Sequence, residues 1–222
     1  MFAYLSSVFN KNPEYKTNLF ISYLQNIHED TSEPILPYSP SQMYCSYMYT
    51  YICAQKGYYK LLHWFNNNWN RFIPVQNLTF TSNGELLYNT AAEKGHLDFI
   101  IYLSEQSFDT GNMVLAHASK GGQLHVLKYL LDSKTFIIDH RGIEIEYAAR
   151  YNQYEVIKYI ITRPNTVWSL HKVLSCMTNW TDKKALITDK WFRRFLMEQN
   201  LYYYPRLQYI RNIIEKDWIY TE

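Results

Sequence analysis

The sequence predicts an all-α chain, a solenoid of stacked helix-turn-helix units with helical caps at both ends. Three observations carry this expectation. Four segments align without gaps: CAQKGYYKLLHWF (53–65), AAEKGHLDFIIYL (91–103), ASKGGQLHVLKYL (118–130) and AARYNQYEVIKYI (148–160), with starts 38, 27 and 30 residues apart. Each holds a turn residue at its fifth position. Each then runs into apolar residues spaced for one broad helix face.

In chain order, residues 1–48 hold a candidate helix at Thr17-Asn18-Leu19-Phe20-Ile21-Ser22-Tyr23-Leu24. A break follows at 32–40, where Pro34, Pro37 and Pro40 exclude a helix. This flank is read as an N-terminal helical cap. Residues 49–163 hold about four units, with helix pairs expected near 49–65, 85–104, 112–131 and 143–162. A small pair opens each aligned segment: Cys53-Ala54, Ala91-Ala92, Ala118-Ser119 and Ala148-Ala149. Side chains of that size let one helix approach its neighbours closely. The turn residue is Gly57, Gly95, Gly122 or Asn152, the residue types that take a left-handed conformation at least cost and end a helix. An apolar pair comes next (Leu61-Leu62, Phe99-Ile100, Val126-Leu127, Val156-Ile157). A second lies three residues on (Trp64-Phe65, Tyr102-Leu103, Tyr129-Leu130, Tyr159-Ile160). One such helix pair cannot bury its own apolar face, so stacking is required.

Beyond Pro164 the register fails, because Lys183-Lys184 stand where an apolar pair is due. Amphipathic stretches persist at Trp191–Leu196 and Leu207–Ile214, so residues 164–222 are read as a C-terminal helical cap. Atypical ends are expected, since terminal units of a stack must present a polar outer face.

The composition agrees. The chain has 222 residues, 47% apolar and 19% charged, enough to bury a sizeable core and too apolar for a disordered chain. Lys+Arg 22 against Asp+Glu 20 leave +2, which gives no electrostatic reason to expect nucleic acid or an anionic membrane. Cys45, Cys53 and Cys176 are odd in number and lack CxxC pairing, so reduced thiols in an intracellular protein are expected. The N-terminal run lacks the basic and apolar regions of a signal peptide, and no stretch approaches 18 apolar residues. The 22 Tyr, with many Asn, Ile and Lys, fit an AT-rich genome.

These segments resemble the ankyrin repeat, most closely at Ala91-Ala92-Glu93-Lys94-Gly95-His96, with upstream glycines Gly84, Gly111 and Gly142. The family's Thr-Pro-Leu-His opening is absent: Leu86-Leu87-Tyr88-Asn89 and Met113-Val114-Leu115-Ala116 stand there instead. Spacings of 27 and 30 fall short of the family's roughly 33, so its β-turn fingers should be short or missing. The aromatic in the second helix is similar to the divergent ankyrin families of large DNA viruses. The resemblance implies an intracellular protein, in host cytoplasm or virion if viral.

Enzymatic motifs do not surface: the sequence holds no P-loop, Rossmann glycine pattern, HExxH or GxSxG. Gly121-Gly122 reads as an inter-helix turn. The seven His show no i, i+4 pair, so no metal and no cofactor are expected. By the resemblance, His96 bonds backbone groups of its turn. Cys53 with His63 could suggest a nucleophile and base, but Cys53 holds a small-residue position and should pack. The column Trp64, Tyr102, Tyr129 and Tyr159 is read as core or a partly exposed back face.

The resemblance also implies that residues just after the small pair face a concave groove. Lys56, Lys94, Lys120 and Arg150 would then form a ladder of cations beside Glu93, with Thr90, His117 and Tyr147 as adjacent specificity positions. Two readings stay open: a solvated face that complements helix dipoles, or a groove for a protein with an acidic face. Two functions follow. One is a non-enzymatic protein-binding module whose concave surface takes a host or viral protein. The other is a structural virion or assembly component anchored through the Tyr-rich flank Leu201-Tyr202-Tyr203-Tyr204-Pro205. Neither needs nucleic acid or membrane as partner.

Overall fold

The computed structural model describes residue 22 and residues 25–31, 46–69, 82–106, 113–133, 142–164 and 168–199. Among these the chain is all-helical, with eleven helices and no strand. It divides into two compact units, Met1–Asp139 and His140–Glu222. The division falls inside the 49–163 segment, leaving three of the expected helix pairs in the first unit and one in the second.

The first unit holds α1 (Ser46–Lys56), α2 (Tyr59–Trp69), α3 (Ser82–Lys94), α4 (Leu97–Glu105), α5 (Val114–Lys120) and α6 (Leu124–Asp132). These are the three expected pairs. Helix α3 packs against both α1 and α5, so the first helices of successive pairs lie side by side, while α2 meets α4. The packing follows from side-chain size. Cys53, Ala54, Ala91, Ala92, Ala118 and Ser119 are all fully buried. The second helices supply bulk: Leu61, Leu62, Phe65, Phe99, Ile100, Leu103, Val126, Leu127 and Leu130 are buried. Trp64 and Tyr129 are half-buried and Tyr102 is buried, so the aromatic column is mostly core edge.

The second unit holds α7 (Ile143–Arg150), α8 (Tyr154–Thr162), α9 (Leu170–Cys176), α10 (Trp180–Thr188) and α11 (Lys190–Glu198). Helix α7 packs on α8 and α9, and α10 on α11. Ala148 and Ala149 are again fully buried, and α8 buries Val156, Ile157, Ile160 and Ile161. The expectation that apolar pairing fails after Pro164 needs correction. Leu186 and Ile187 are the buried pair of α10, three residues beyond Lys183-Lys184. They stand 30 residues beyond Val156-Ile157, the spacing that separates the two preceding units, whereas Lys183-Lys184 stand 27 beyond. Capping fixes these helices: Ser169 Oγ, Asn179 Oδ1 and Asp189 Oδ1 accept from the Lys172, Thr181 and Phe192 amides at 3.2, 3.0 and 2.9 Å.

The four turns share one backbone. Gly57, Gly95, Gly122 and Asn152 have φ of 77°, 86°, 71° and 57°. The next residue's amide donates back to the first small residue: Tyr58 to Cys53 O, His96 to Ala91 O, Gln123 to Ala118 O and Gln153 to Ala148 O, at 2.8–2.9 Å. This is the Schellman arrangement, which satisfies helix-end carbonyls that otherwise lack a donor. His96, Gln123 and Gln153 then sit at φ near −85° and ψ of 74–78°, an inverse γ-turn closed by the amides of Leu97, Leu124 and Tyr154. Tyr59 N bonds Gly57 O in the same way at 3.0 Å.

Of the N-terminal flank, Ser22, Gln25 and Asn26 are helical, and the following residues dock on α2. Asp30 Oδ1 and Oδ2 accept from the Leu61 and Lys60 amides at 3.0 and 3.2 Å, and Tyr58 Oη donates to Ile27 O at 2.7 Å. Burial, then the Asp30 charge, raises the Tyr58 phenol, which keeps it a donor. The expected proline break at 32–40, Cys45 and the segment 201–214 lie outside the described residues.

Because both small pairs sit at full burial, Ala92→Leu in the first unit and Ala149→Leu in the second are each expected to destabilise by about 1–3 kcal/mol through over-packing. Urea or thermal unfolding of the full chain checks this; unchanged midpoints for both would contradict the packing.

Candidate partner-binding surface

The side chains expected to face a partner stand at or near the ends of α1, α3 and α5 in the first unit and of α7 in the second, and the turn register decides their columns. Gln55, Glu93, Lys120 and Arg150 precede the turn residue by two positions, while Lys56, Lys94, Gly121 and Tyr151 precede it by one. The four cations therefore do not form one column, which corrects the expected ladder. Lys56 and Lys94 are exposed and share a column in the first unit. Arg150 is exposed in the second. Lys120 is half-buried and engaged.

Glu93 is what engages it. Its Oε2 accepts from Lys120 Nζ at 2.9 Å and from His117 Nδ1 at 3.0 Å, joining α3 to α5. Partial burial pushes the Glu93 carboxyl up, but the hydrogen bonds from Lys120 and His117, with their charges, outweigh it and hold the group below its ordinary value. Thr90, His117 and Tyr147 share the column directly before the small pair, and all three are half-buried. Sequence reading placed Glu93 at the surface without seeing that it neutralises Lys120. A carboxylate and a cation in the same column of adjacent units was the available signal.

Side chains after the turns reach back to the backbone of the preceding pair. His96 Nε2 donates to Gln55 O at 2.8 Å and His125 Nε2 to Gly95 O at 2.9 Å. The Gln123 amide donates to Gly121 O at 3.0 Å and Glu93 O at 3.4 Å. His96 thus bonds backbone, as the resemblance implied, but the backbone of the preceding turn region. Gly121 has an ordinary φ of −76° and is needed for space: a Cβ there would lie 2.0 Å from the Glu93 carbonyl oxygen. Sequence reading took it for part of the turn, yet it ends α5 at that helix's closest approach to α3.

In the second unit the Arg150 guanidinium lies over the Tyr147 ring, 5.5 Å from its centroid, and Tyr147 stacks on Tyr151 at 6.4 Å and 29°. Tyr151 is 44% exposed, one of two large apolar side chains so placed among the described residues. Glu146, one turn before Arg150, pairs instead with Lys172 of α9. Asn152 Nδ2 donates to Asp182 Oδ2 at 2.8 Å, fastening this turn to α10.

Other chemistry is limited. Cys53 is fully buried, and burial followed by the Asp30 charge pushes its thiol far up, so it stays protonated and un-nucleophilic. His63 is exposed, its Nε2 accepting from Asn67 Nδ2 at 2.7 Å. Among the described residues no three His, Cys, Asp or Glu side chains converge to hold a metal, and no helix is long and apolar enough to cross a membrane. A shallow groove of about 290 Å³ lies on α2 and α4, lined by Tyr59, Lys60, His63, Tyr102, Glu105 and Gln106. The Tyr-rich segment 201–205 lies outside the described residues.

Two predictions follow from the α3–α5 contact. Gly121→Ala is expected to destabilise by about 1–3 kcal/mol, since its Cβ meets backbone that no rotamer can move. Glu93 is held below its unfolded value, so its contribution is present above the ordinary carboxylate range and is lost as pH falls through the folded value. Glu93→Gln should therefore unfold earlier than wild type at neutral pH, with the gap closing in acid. A gap that persists unchanged at low pH would remove the carboxylate from the account.

No family model, curated protein or solved structure matches the chain.

Proposed function

We propose that this chain is a divergent ankyrin-like repeat solenoid acting as a non-enzymatic protein-interaction module, with the ends of its first helices as the binding surface. The observation that carries the reading is the contrast along these helix ends. The small pairs are fully buried, while Gln55, Lys56, Lys94, Arg150 and Tyr151 just beyond them are exposed. Packing explains the buried positions. It leaves the exposed ones available for recognition, and three of the five are cations. Extended surfaces of stacked helices suit protein ligands better than small molecules. The partner is a protein with an acidic face, of host or viral origin if the virus-like resemblance holds, met inside the cell.

A pull-down from cell extract, identified by mass spectrometry and confirmed with purified partner, tests the reading. Because Lys120 is committed to Glu93, the informative reversal is Lys56→Glu with Lys94→Glu. It should weaken the partner more than Lys60→Glu with Lys128→Glu on the second helices. Exposed charges of this kind act through association rate and salt dependence, so raising salt should weaken wild type more than the Lys56/Lys94 variant. Equal losses from both pairs, or salt-independent binding, would place the contact elsewhere.

A further inference from the structure

We infer that the exposed end of α7 in the second unit is a receptor for a single carboxylate side chain of an acidic peptide segment, with Arg150 as the anion ligand and Tyr151 as the apolar wall beside it. The inference rests on the interaction-module reading and names the chemistry of one contact within it.

The argument starts from where the local carboxylates go. Glu146 stands four residues before Arg150, the spacing at which a helical acid and base ordinarily pair. It pairs with Lys172 of α9 instead. Glu144, on the same turn, is 1% exposed. Arg150 takes part in no ion pair among the described residues; its recorded contact is the Tyr147 ring. The cation is thus left uncompensated on its own helix while its neighbour Lys172 is neutralised.

Stacking then shapes what Arg150 can do. A guanidinium is planar, and its N–H donors point outward in that plane. With the guanidinium carbon 5.5 Å from the Tyr147 centroid and the residue exposed, the ring restrains the side chain while its donors stay accessible to a ligand. A restrained fork matches a carboxylate with two parallel hydrogen bonds and loses less entropy on binding than a free side chain. Tyr151, stacked on Tyr147, adds an exposed ring on which an apolar residue next to the acid can rest. Tyr and Arg are also the residue types that concentrate binding energy at interfaces.

The test uses the full chain and an array of ten-residue synthetic peptides carrying one Glu or Asp beside Leu or Tyr. Matched arrays carry Gln or Asn, or phosphoserine, at the same position. Wild type should retain the acidic peptides over the amide controls, with affinities read by fluorescence anisotropy. Arg150→Lys keeps the charge but loses the fork and should weaken binding about tenfold or more. Arg150→Glu should abolish it, and Tyr151→Ala should weaken it several-fold. Lys60→Glu, on α2 of the other unit, should change it less than about twofold. All three positions lie at the surface, and unchanged thermal unfolding confirms intact variants. Equal binding of amide and acidic peptides, or no retention of acidic peptides, overturns the inference. So does preference for phosphoserine alone, or equal affinity of Arg150→Lys and wild type. Acidic peptides that respond to Lys56 and Lys94 but not to Arg150 would overturn it while leaving the interaction-module reading intact.

Discussion

Close approach between the first helices of successive pairs governs the first unit, and it depends on keeping side chains out of the contact. At Cys53, Ala54, Ala91, Ala92, Ala118 and Ser119 nothing larger than a thiol projects, and all are fully buried. Helices this close bring the last-turn carbonyls of one within reach of side chains from the next. His96 takes Gln55 O and Gln123 takes Glu93 O from equivalent positions. A helix end needs donors for its orphan carbonyls, and here the neighbouring pair supplies some of them. Packing and polar satisfaction therefore rise and fall together. A larger residue in the small pair would separate the helices and break the reach-back bonds as well.

The same spacing limits the charges. Once α5 lies against α3 closely enough to require Gly121, Lys120 and His117 fall within bonding distance of Glu93. The positive charge of Lys120 is then engaged in holding two helices together. Lys56 and Lys94, at the ends of α1 and α3, stay exposed. Net charge says nothing of this distinction, since a chain at +2 can hold both a neutralised cluster and an isolated guanidinium.

Much of the architecture was legible in the sequence because it is written in residue types with few alternatives. A Gly or Asn in register four times demanded a left-handed turn, and all four have positive φ. Paired Ala-sized residues demanded burial, and all eight positions are fully buried. The candidate surface was less legible because its meaning depends on contacts across helices. The offset of Lys120 from Lys56 and Lys94 was visible in the alignment, but its pairing with Glu93 needed the distance between α3 and α5. Gly121 shows the same limit, since adjacent glycines read as a turn until the close backbone is seen. The buried pair Leu186–Ile187 was missed because the unit spacing is not constant: Lys183-Lys184 stand 27 residues beyond Val156-Ile157, while the buried pair stands 30 beyond.

The same reach-back operates at the turn before α2 in the first unit. Tyr58 holds the position that His96 and Gln123 hold in later pairs, and it too reaches back to a main-chain carbonyl. That carbonyl belongs to Ile27, in a stretch following a short helical segment. Three residues on, Asp30 accepts from the Lys60 and Leu61 amides, which the first turn of α2 leaves without helical partners. A carboxylate at that end also complements the helix dipole. The N-terminal segment thus supplies the two things a preceding pair would supply, an acceptor for the reaching side chain and a cover for the α2 end. Residues 27–30 give Tyr58 and the α2 end polar partners, as the preceding pair gives them to His96 and Gln123.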